Sequence, residues 1–250
     1  MTVPNFSLQG KVAIITGASG GVGRALSNGF AESGASLVLA ARRLTPLQAV
    51  ADEIGVQGGK ALAVPTDITD SVQVSKMVEM AMKEFGRLDI LVNCAGGGPR
   101  EPTLNITEES WDKTVDFNLK GAFLCSQAAG RVMIEQRSGS IITFSTTAAQ
   151  LPAAGESHYT AAKAGVIHLT RVLAAEWGRY NVRVNCISPG LIDDEHGRAV
   201  MGAEFEKYAR RTSLGRAASP EDILGVAIFL ASGAASYITG VIMNVNGGPI

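Results

Sequence analysis

Tyr159 and Lys163 stand four residues apart in the run His158-Tyr-Thr-Ala-Ala-Lys163-Ala-Gly165. On a helix that spacing brings a phenol and an ammonium to one face, about 5–6 Å apart at Cβ. A cation beside a phenol favours the phenolate, so the tyrosine can trade a proton with an alcohol oxygen. Bringing a phenol from about 10 to neutral pH takes about 4 kcal/mol. A charge about 4 Å away, at an effective dielectric near 20, supplies about that much. The pair is energetically sufficient for acid-base work, although Tyr and Lys also meet at this spacing by chance on many helices.

A second constellation lies near the start of the chain, in Thr16-Gly17-Ala-Ser19-Gly-Gly21-Val22-Gly23. It follows an apolar run and opens a segment of helical period. In that context glycines let the backbone approach a pyrophosphate at a helix N-terminus, so a dinucleotide cofactor is expected. About twenty residues on, an acid would grip the ribose 2′-hydroxyl of NAD and repel a phosphate. The chain has Ala40-Ala41-Arg42-Arg43 there. Two guanidiniums and no acid favour a 2′-phosphate, and so NADP over NAD. The plainer alternative for Arg42 and Arg43 is a solvated start of a helix.

The elements that must carry these groups alternate. Short apolar runs at residues 11–16, 36–41, 61–65, 88–93, 140–145, 183–188 and 241–245 read as strands. Helical periodicity fills residues 23–33, 46–54, 71–85 and 157–179, with two helices within 108–136. Such alternation requires crossovers, and therefore a parallel sheet covered on both faces. The expected fold is a doubly wound α/β domain with a seven-stranded parallel sheet, spanning residues 1–250 as one unit. Residues 191–214 interrupt the pattern with Met201, Phe205 and Tyr208 at helical spacing. They read either as a mobile lid over an apolar ligand or as an ordinary helical excursion at the surface.

Composition narrows the function classes. The 29 glycines exceed the roughly 7% average, and 46% hydrophobic with 18% charged residues suits buried strands joined by tight turns. A net charge of −1 and few aromatics leave neither a basic stripe nor a stacking platform, so no nucleic-acid partner is expected. Cys94, Cys125 and Cys186 match neither a disulfide framework nor a metal-ligand spacing, and His158, His168 and His196 are scattered. The cysteines read as small buried hydrophobes in a reducing cytosol, with no metal. Residues 1–10 lack the features of a leader, and no run reaches the length of a membrane span. A cytoplasmic protein without membrane contact is expected.

The glycines are spaced T-G-x-x-x-G-x-G, and further motifs follow in order: Asp67-Ile68, Asn93-Cys-Ala95-Gly96, Asn118, Tyr159-x-x-x-Lys163 and Pro189-Gly190. Across essentially the whole chain this resembles the short-chain dehydrogenase/reductase family, nearest in pattern to its 3-oxoacyl reductase-like members. The resemblance implies a Rossmann-like fold and a cofactor site drawn from Gly17, Ser19, Gly21, Val22, Gly23, Asp67, Ile68, Asn93, Ala95, Gly96, Tyr159, Lys163, Pro189, Gly190 and Ile192, with Arg42 and Arg43. Asp67 would contact the adenine amino group, the Asn93 segment would brace the sheet, and Lys163 would also bind the nicotinamide ribose. Asp67 reads alternatively as an exposed turn carboxylate. Gly20 lacks the basic side chain that many NADP-preferring relatives carry.

The same resemblance implies hydride transfer between nicotinamide and a carbonyl carbon, with Tyr159 donating the proton. Run backwards, the reaction oxidises a secondary alcohol. Asn118 matches the position that kinks a helix and holds a water linked to the lysine. Thirteen residues before the tyrosine, where the family has Ser, stands Thr146. Its hydroxyl should still orient the substrate oxygen, with less rotational freedom. A merely packing Thr146, or Ser145 as the donor, are the alternatives. Four residues after Gly190 the family has Thr, and this chain has Asp194. Backbone at Ile192 could replace the carboxamide contact, while Asp193-Asp194-Glu195 reads as a helix cap cluster.

Residues 97–100, residues 148–154, His158 and residues 191–208 should line the substrate pocket. Arg100 could meet a carboxylate or phosphopantetheine, or be solvated. A 3-oxoacyl or general ketone substrate comes first, ahead of a polyol, sugar or hydroxysteroid-type alcohol. The rival from another class is a catalytically idle NADP-binding sensor or oligomer partner. Relatives are generally tetramers, which implies a homotetramer built through the long helices and the last strand.

Overall fold

The run Val12–Thr16 is buried at all five positions, which requires cover on both of its faces. In the computed structural model, which describes residues 5–248, this run is β1. Residues 1–4 and 249–250 of the expected single domain lie outside the described residues. The other strands are β2 (Ser36–Ala41), β3 (Lys60–Pro65), β4 (Ile90–Asn93), β5 (Gly139–Phe144), β6 (Val182–Pro189) and β7 (Ile242–Val245). All pair in parallel, in the order β3-β2-β1-β4-β5-β6-β7. The order reverses between β1 and β4, where the register sets Thr16 opposite Asn93. That reversal opens a crevice at the carboxyl ends of the strands, the usual ligand position in such sheets.

The pleat divides the core. Ala13 and Ile15 join Leu26 and Phe30 of α1 (Gly21–Glu32), Leu47 and Ile54 of α2 (Leu44–Val56), and Ile223 and Leu230 of a late helix at Pro220–Ala231. Ile14, on the other face, joins Met77 of α3 (Ser71–Phe85). Past α4 (Glu108–Val115), Cys125 and Met133 of α5 (Gly121–Gln136) and Leu173 of α6 (Ser157–Trp177) complete that layer. Full burial of a Leu, Ile or Phe side chain contributes about 1.5–3 kcal/mol.

The expected doubly wound sheet is present, with local differences. β4 begins at Ile90, two residues late, because the Leu88 N–H is taken by Gln136 Oε1 at 3.1 Å. Residues 191–214 fold into two short helices, α7 (Glu195–Met201) and α8 (Phe205–Ala209), around a small apolar cluster of Phe205, Ala209 and Ala217. The helix at Pro220–Ala231, hereafter α9, was not among the expected elements. Its start was legible: Ser219 and Asp222 form a reciprocal capping box and Pro220 occupies the first turn. Among the described residues no helix is long and apolar enough to cross a membrane, and no group of three His, Cys, Asp or Glu is placed to hold a metal.

Candidate active site

The turn from β1 to α1 is shaped by close backbone approach. Gly17 has φ +72°, and a Cβ there would stand 2.9 Å from Ala95 Cα. At Gly23 a Cβ would meet the Gly17 carbonyl oxygen at 2.1 Å. Only glycine lets the first turn of α1 close onto β1, where the N–H groups at Gly21, Val22 and Gly23 stand outside the helix ladder. Thr16 ties this turn to the next strand, since its hydroxyl accepts from Ala95 N at 3.1 Å and donates to Val92 O at 3.3 Å. Beside it, Asn93 Nδ2 donates to Ser126 Oγ at 2.9 Å, fastening β4 to α5. Ser19 is half-buried on the same turn.

At the end of β2, Arg42 and Arg43 are exposed and neither makes an ion pair among the described residues. The Arg42 guanidinium lies over the Phe117 ring, 5.6 Å from its centroid. Asp67 Oδ1 accepts from Thr69 N and Thr69 Oγ1, at 2.9 and 2.8 Å, a local turn that presents the carboxylate beyond β3. Ile68 is buried against Gly121, where a Cβ would meet its side chain at 2.6 Å. Pro189 ends β6, and Gly190 packs against Asn246.

Tyr159, Lys163 and Asn118 come together at the same rim, where Thr146 follows the end of β5. Lys163 is 3% exposed, and its ammonium donates to Phe144 O at 2.9 Å and lies 5.9 Å from the Tyr159 ring centroid. Asn118 sits in a π-helical turn, Asp116–Lys120, that joins α4 to α5. Its amide grips the loop after β4: Oδ1 accepts from Gly97 N at 2.9 Å and Nδ2 donates to Gly97 O at 2.8 Å. A Cβ at Gly96 would lie 2.6 Å from Lys163 Nζ and 2.9 Å from Asn118 Oδ1, so a backbone without a side chain separates the two groups. Thr146 Oγ1 accepts from Ala148 N at 3.3 Å, which leaves its own O–H free to donate. Ser145 is committed elsewhere, donating to Lys163 O at 2.9 Å.

The electrostatics differ from the simple pair expected from spacing. Burial, joined by the Glu156 carboxylate, pushes the Tyr159 phenol above its ordinary value. Burial also pulls the Lys163 ammonium down to about 8. Both groups lose hydration, a cost that Coulomb attraction across a stated distance leaves out. The cation alone therefore does not bring the phenol to neutral pH in this setting. The same loss pushes the Cys94 and Cys125 thiols up to about 12, leaving them unreactive.

Two pocket expectations are corrected. His158 is fully buried and lines no open pocket. Arg100 is exposed but held: Nε and Nη2 both donate to Ala154 O at 3.3 Å, and Nε lies 3.6 Å from Glu156 Oε1. The backbone on either side of Ile192 bridges Ala218, through Asp193 N to Ala218 O at 2.7 Å and Ala218 N to Leu191 O at 2.9 Å, bonds that do not involve the amide or carbonyl of Ile192. Asp194 does cap α7, accepting from Gly197 N at 2.7 Å, while Asp193 pairs with Arg198. The other Asp194 oxygen reaches the glycine turn, 2.6 Å from where a Gly21 Cβ would be. His196 Nε2 overhangs Gly97, 3.4 Å from a Cβ built there. Neither reach was signalled by spacing, because both depend on where α7 lands.

Comparison with known proteins agrees with this geometry. A family model described as enoyl-(acyl carrier protein) reductase matches residues 17–249. A 3-oxoacyl-acyl-carrier-protein reductase of Thermotoga maritima is 36% identical over 96% of this chain and 98% of its own length. An NAD-dependent glycerol dehydrogenase of Listeria innocua is 38% identical over 98% and 95%. The crystal structure of a 7α-hydroxysteroid dehydrogenase complexed with NADH and 7-oxo glycochenodeoxycholic acid superposes with a TM-score of 0.95, at 36% identity over 98% of this chain and 96% of that one. The chain belongs to the short-chain dehydrogenase/reductase family, an oxidoreductase that moves hydride between a pyridine nucleotide and a CH–OH or C=O carbon.

Proposed function

We propose that the chain is an NADP(H)-dependent reductase of ketones, 3-oxoacyl or general, that runs in reverse on secondary alcohols. The observation that carries the cofactor choice is the pair of exposed, unpaired guanidiniums at Arg42 and Arg43, with no acid at the end of β2. A 2′-phosphate there would gain charge-assisted hydrogen bonds, which a 2′-hydroxyl would not. Two relatives named above carry NAD or NADH in their names, so residues of this chain, not kinship, support NADP.

NADP(H), when bound, supplies or accepts the hydride. The glycine turn receives its diphosphate, Asp67 and Ile68 border its adenine, and Gly96, Pro189, Gly190 and Ile192 flank its nicotinamide end. The residues do the rest. Thr146 donates its free O–H to the substrate oxygen and holds the reacting carbon in place. Tyr159 gives that oxygen its proton as the carbonyl becomes an alkoxide. Lys163, fixed by Phe144 O, keeps a positive charge beside the phenol, and Asn118 holds the Gly97 backbone against it. In this partly closed site, the lowered Lys163 and raised Tyr159 leave the phenol protonated and ready to donate at neutral pH.

Residues 191–214 act as the lid. Exposed Trp111, Phe123 and Val172 on α4, α5 and α6 suit the assembly of a cytoplasmic homotetramer through these helices. The test is nucleotide consumption, NADPH against NADH, with ethyl acetoacetate, acetoacetyl-CoA, dihydroxyacetone and a 7-oxosteroid. The expected result is NADPH-linked turnover and a tenfold or larger fall in the NADPH/NADH preference in Arg42→Asp. Tight NADPH binding with no turnover on any ketone would favour the sensor reading. Tenfold tighter NADH binding would overturn the NADP assignment.

A further inference from the structure

The loop after β4 and the turn before α6 are sewn together at the foot of Tyr159. Glu101 N donates to Gly155 O at 2.7 Å, and Thr103 Oγ1 donates to Ser157 Oγ at 3.1 Å. Between these bonds runs Arg100, whose guanidinium donates twice to Ala154 O and reaches the Glu156 carboxylate. Gly155 adopts φ +81°, and a Cβ there would stand 3.2 Å from Arg100 Cγ, so glycine both permits the turn and clears the arginine stem. Arg100 Nη1 also lies 3.8 Å from Met201 Sδ on α7. One side chain thus touches the loop, the helix start and the segment that covers them.

Glu156 sits immediately before α6 without capping it: its side chain makes no bond to the helix N–H groups. It is turned instead toward Arg100, with its side chain 17% exposed and that of Arg100 35% exposed. The carboxylate is the more enclosed partner, so removing Arg100 leaves its charge without the nearby cation. Glu156 also precedes Tyr159 by three residues on the same rising turn, and its charge opposes formation of a phenolate there.

We propose that Arg100 is a positioning residue for the proton step: it fixes residues 153–157 at the start of α6 and neutralises the Glu156 carboxylate beside Tyr159. The inference rests on the reading of Tyr159 as the proton donor. Other charged or titratable groups on the elements meeting at Tyr159 are few. Its own helix adds His158 and Lys163, β4 ends in Cys94, and α7 brings Asp194 and His196. α4, which packs on α6, carries Glu108, Glu109, Asp112 and Lys113, all exposed to water. Lys163 is common to every version of this chemistry. The Arg100–Glu156 pair is the adjustable part.

The experiment follows the phenol itself and needs no substrate. The full chain is labelled at tyrosine Cζ, and the Tyr159 NMR signal, assigned by its loss in Tyr159→Phe, is followed to alkaline pH below unfolding. Glu156→Gln should carry more phenolate than the parent at a given pH, and Arg100→Gln less, with displacements of about half a pH unit or more in opposite directions. Arg100→Lys should fall between the parent and Arg100→Gln, and the double variant should follow Glu156→Gln. A merely structural role would lower thermal stability and leave the curves superposed; superposed curves, or more phenolate in Arg100→Gln, overturn the proposal. Should Arg100→Gln fail to fold, the Glu156→Gln displacement decides alone. Undiminished turnover in Tyr159→Phe would instead sink the underlying proton-donor reading, which separates the two failures.

Discussion

The two ends of the crevice are built from different materials. At the β1–α1 turn the working surface is main chain, kept clear by Gly17, Gly21 and Gly23, with the Thr16 hydroxyl and the Asp194 carboxylate reaching it from either side. Around Tyr159 the working surface is side chain: a phenol, a hydroxyl held by the turn that follows it, and a buried ammonium and an amide each held by a partner distant in sequence. The first end sets shape and affinity. The second sets proton energies, and small changes in burial or neighbouring charge alter its chemistry. Substitutions at the first should move nucleotide binding, and those at the second turnover and its pH dependence.

The largest effect should come from Tyr159→Phe, which keeps the ring and removes the proton. Turnover should fall by about 10²–10⁴-fold with nucleotide affinity nearly unchanged, as steady-state kinetics beside direct binding would reveal. A loss confined to affinity would erase the distinction between the ends.

Next comes Lys163. Its folded value of about 8 lies below the ordinary one near 10.4, so between those two pH values the unfolded chain holds a proton that the folded chain does not. Stability therefore rises with pH across that window, and below about 8 the folded chain bears the full cost of a buried ammonium, on the order of 3 kcal/mol. Denaturant unfolding of the parent and of Lys163→Met at several pH values should show their difference changing in that window and flat below it.

A smaller effect is expected at the main-chain end. Gly23→Ala places a methyl against the Gly17 carbonyl, and the backbone must shift. Overpacking of this kind costs about 1–3 kcal/mol, so nucleotide affinity measured by calorimetry should fall about tenfold or more, with the pH dependence of turnover unmoved. The smallest is Thr146→Ser. It keeps the hydroxyl and frees χ1, and kcat should stay within about threefold of the parent.

That contrast also explains what could be read from the sequence. The glycine turn was visible because a requirement for no side chain is written directly as a residue type, and the strand and helix periods around it followed from burial on alternating faces. The helix at Pro220–Ala231 carried a capping box and escaped notice because its apolar run, Ile223 to Leu230, has no polar face to reveal a helical period. At the reaction end the identities of Tyr159, Lys163, Asn118 and Thr146 were visible, and their energetics were not. Hydration lost by Tyr159 and Lys163 depends on what surrounds them from β4, β5 and the loop at Gly96–Gly98, none of it local in the chain. Arg100 illustrates the point: its residue type suggested a free cation, and its destiny was set by a glutamate fifty-six residues away.

Because all seven strands run the same way, the crevice occupies one rim of the sheet and the opposite rim is left to turns. The connection from α2 into β3 is such a turn, with Val56 90% exposed and open space around Gly58. A surface tether or fused reporter grafted there would hang from the far side of the molecule, and the enzyme could be anchored by it while its mouth faces the bulk solution.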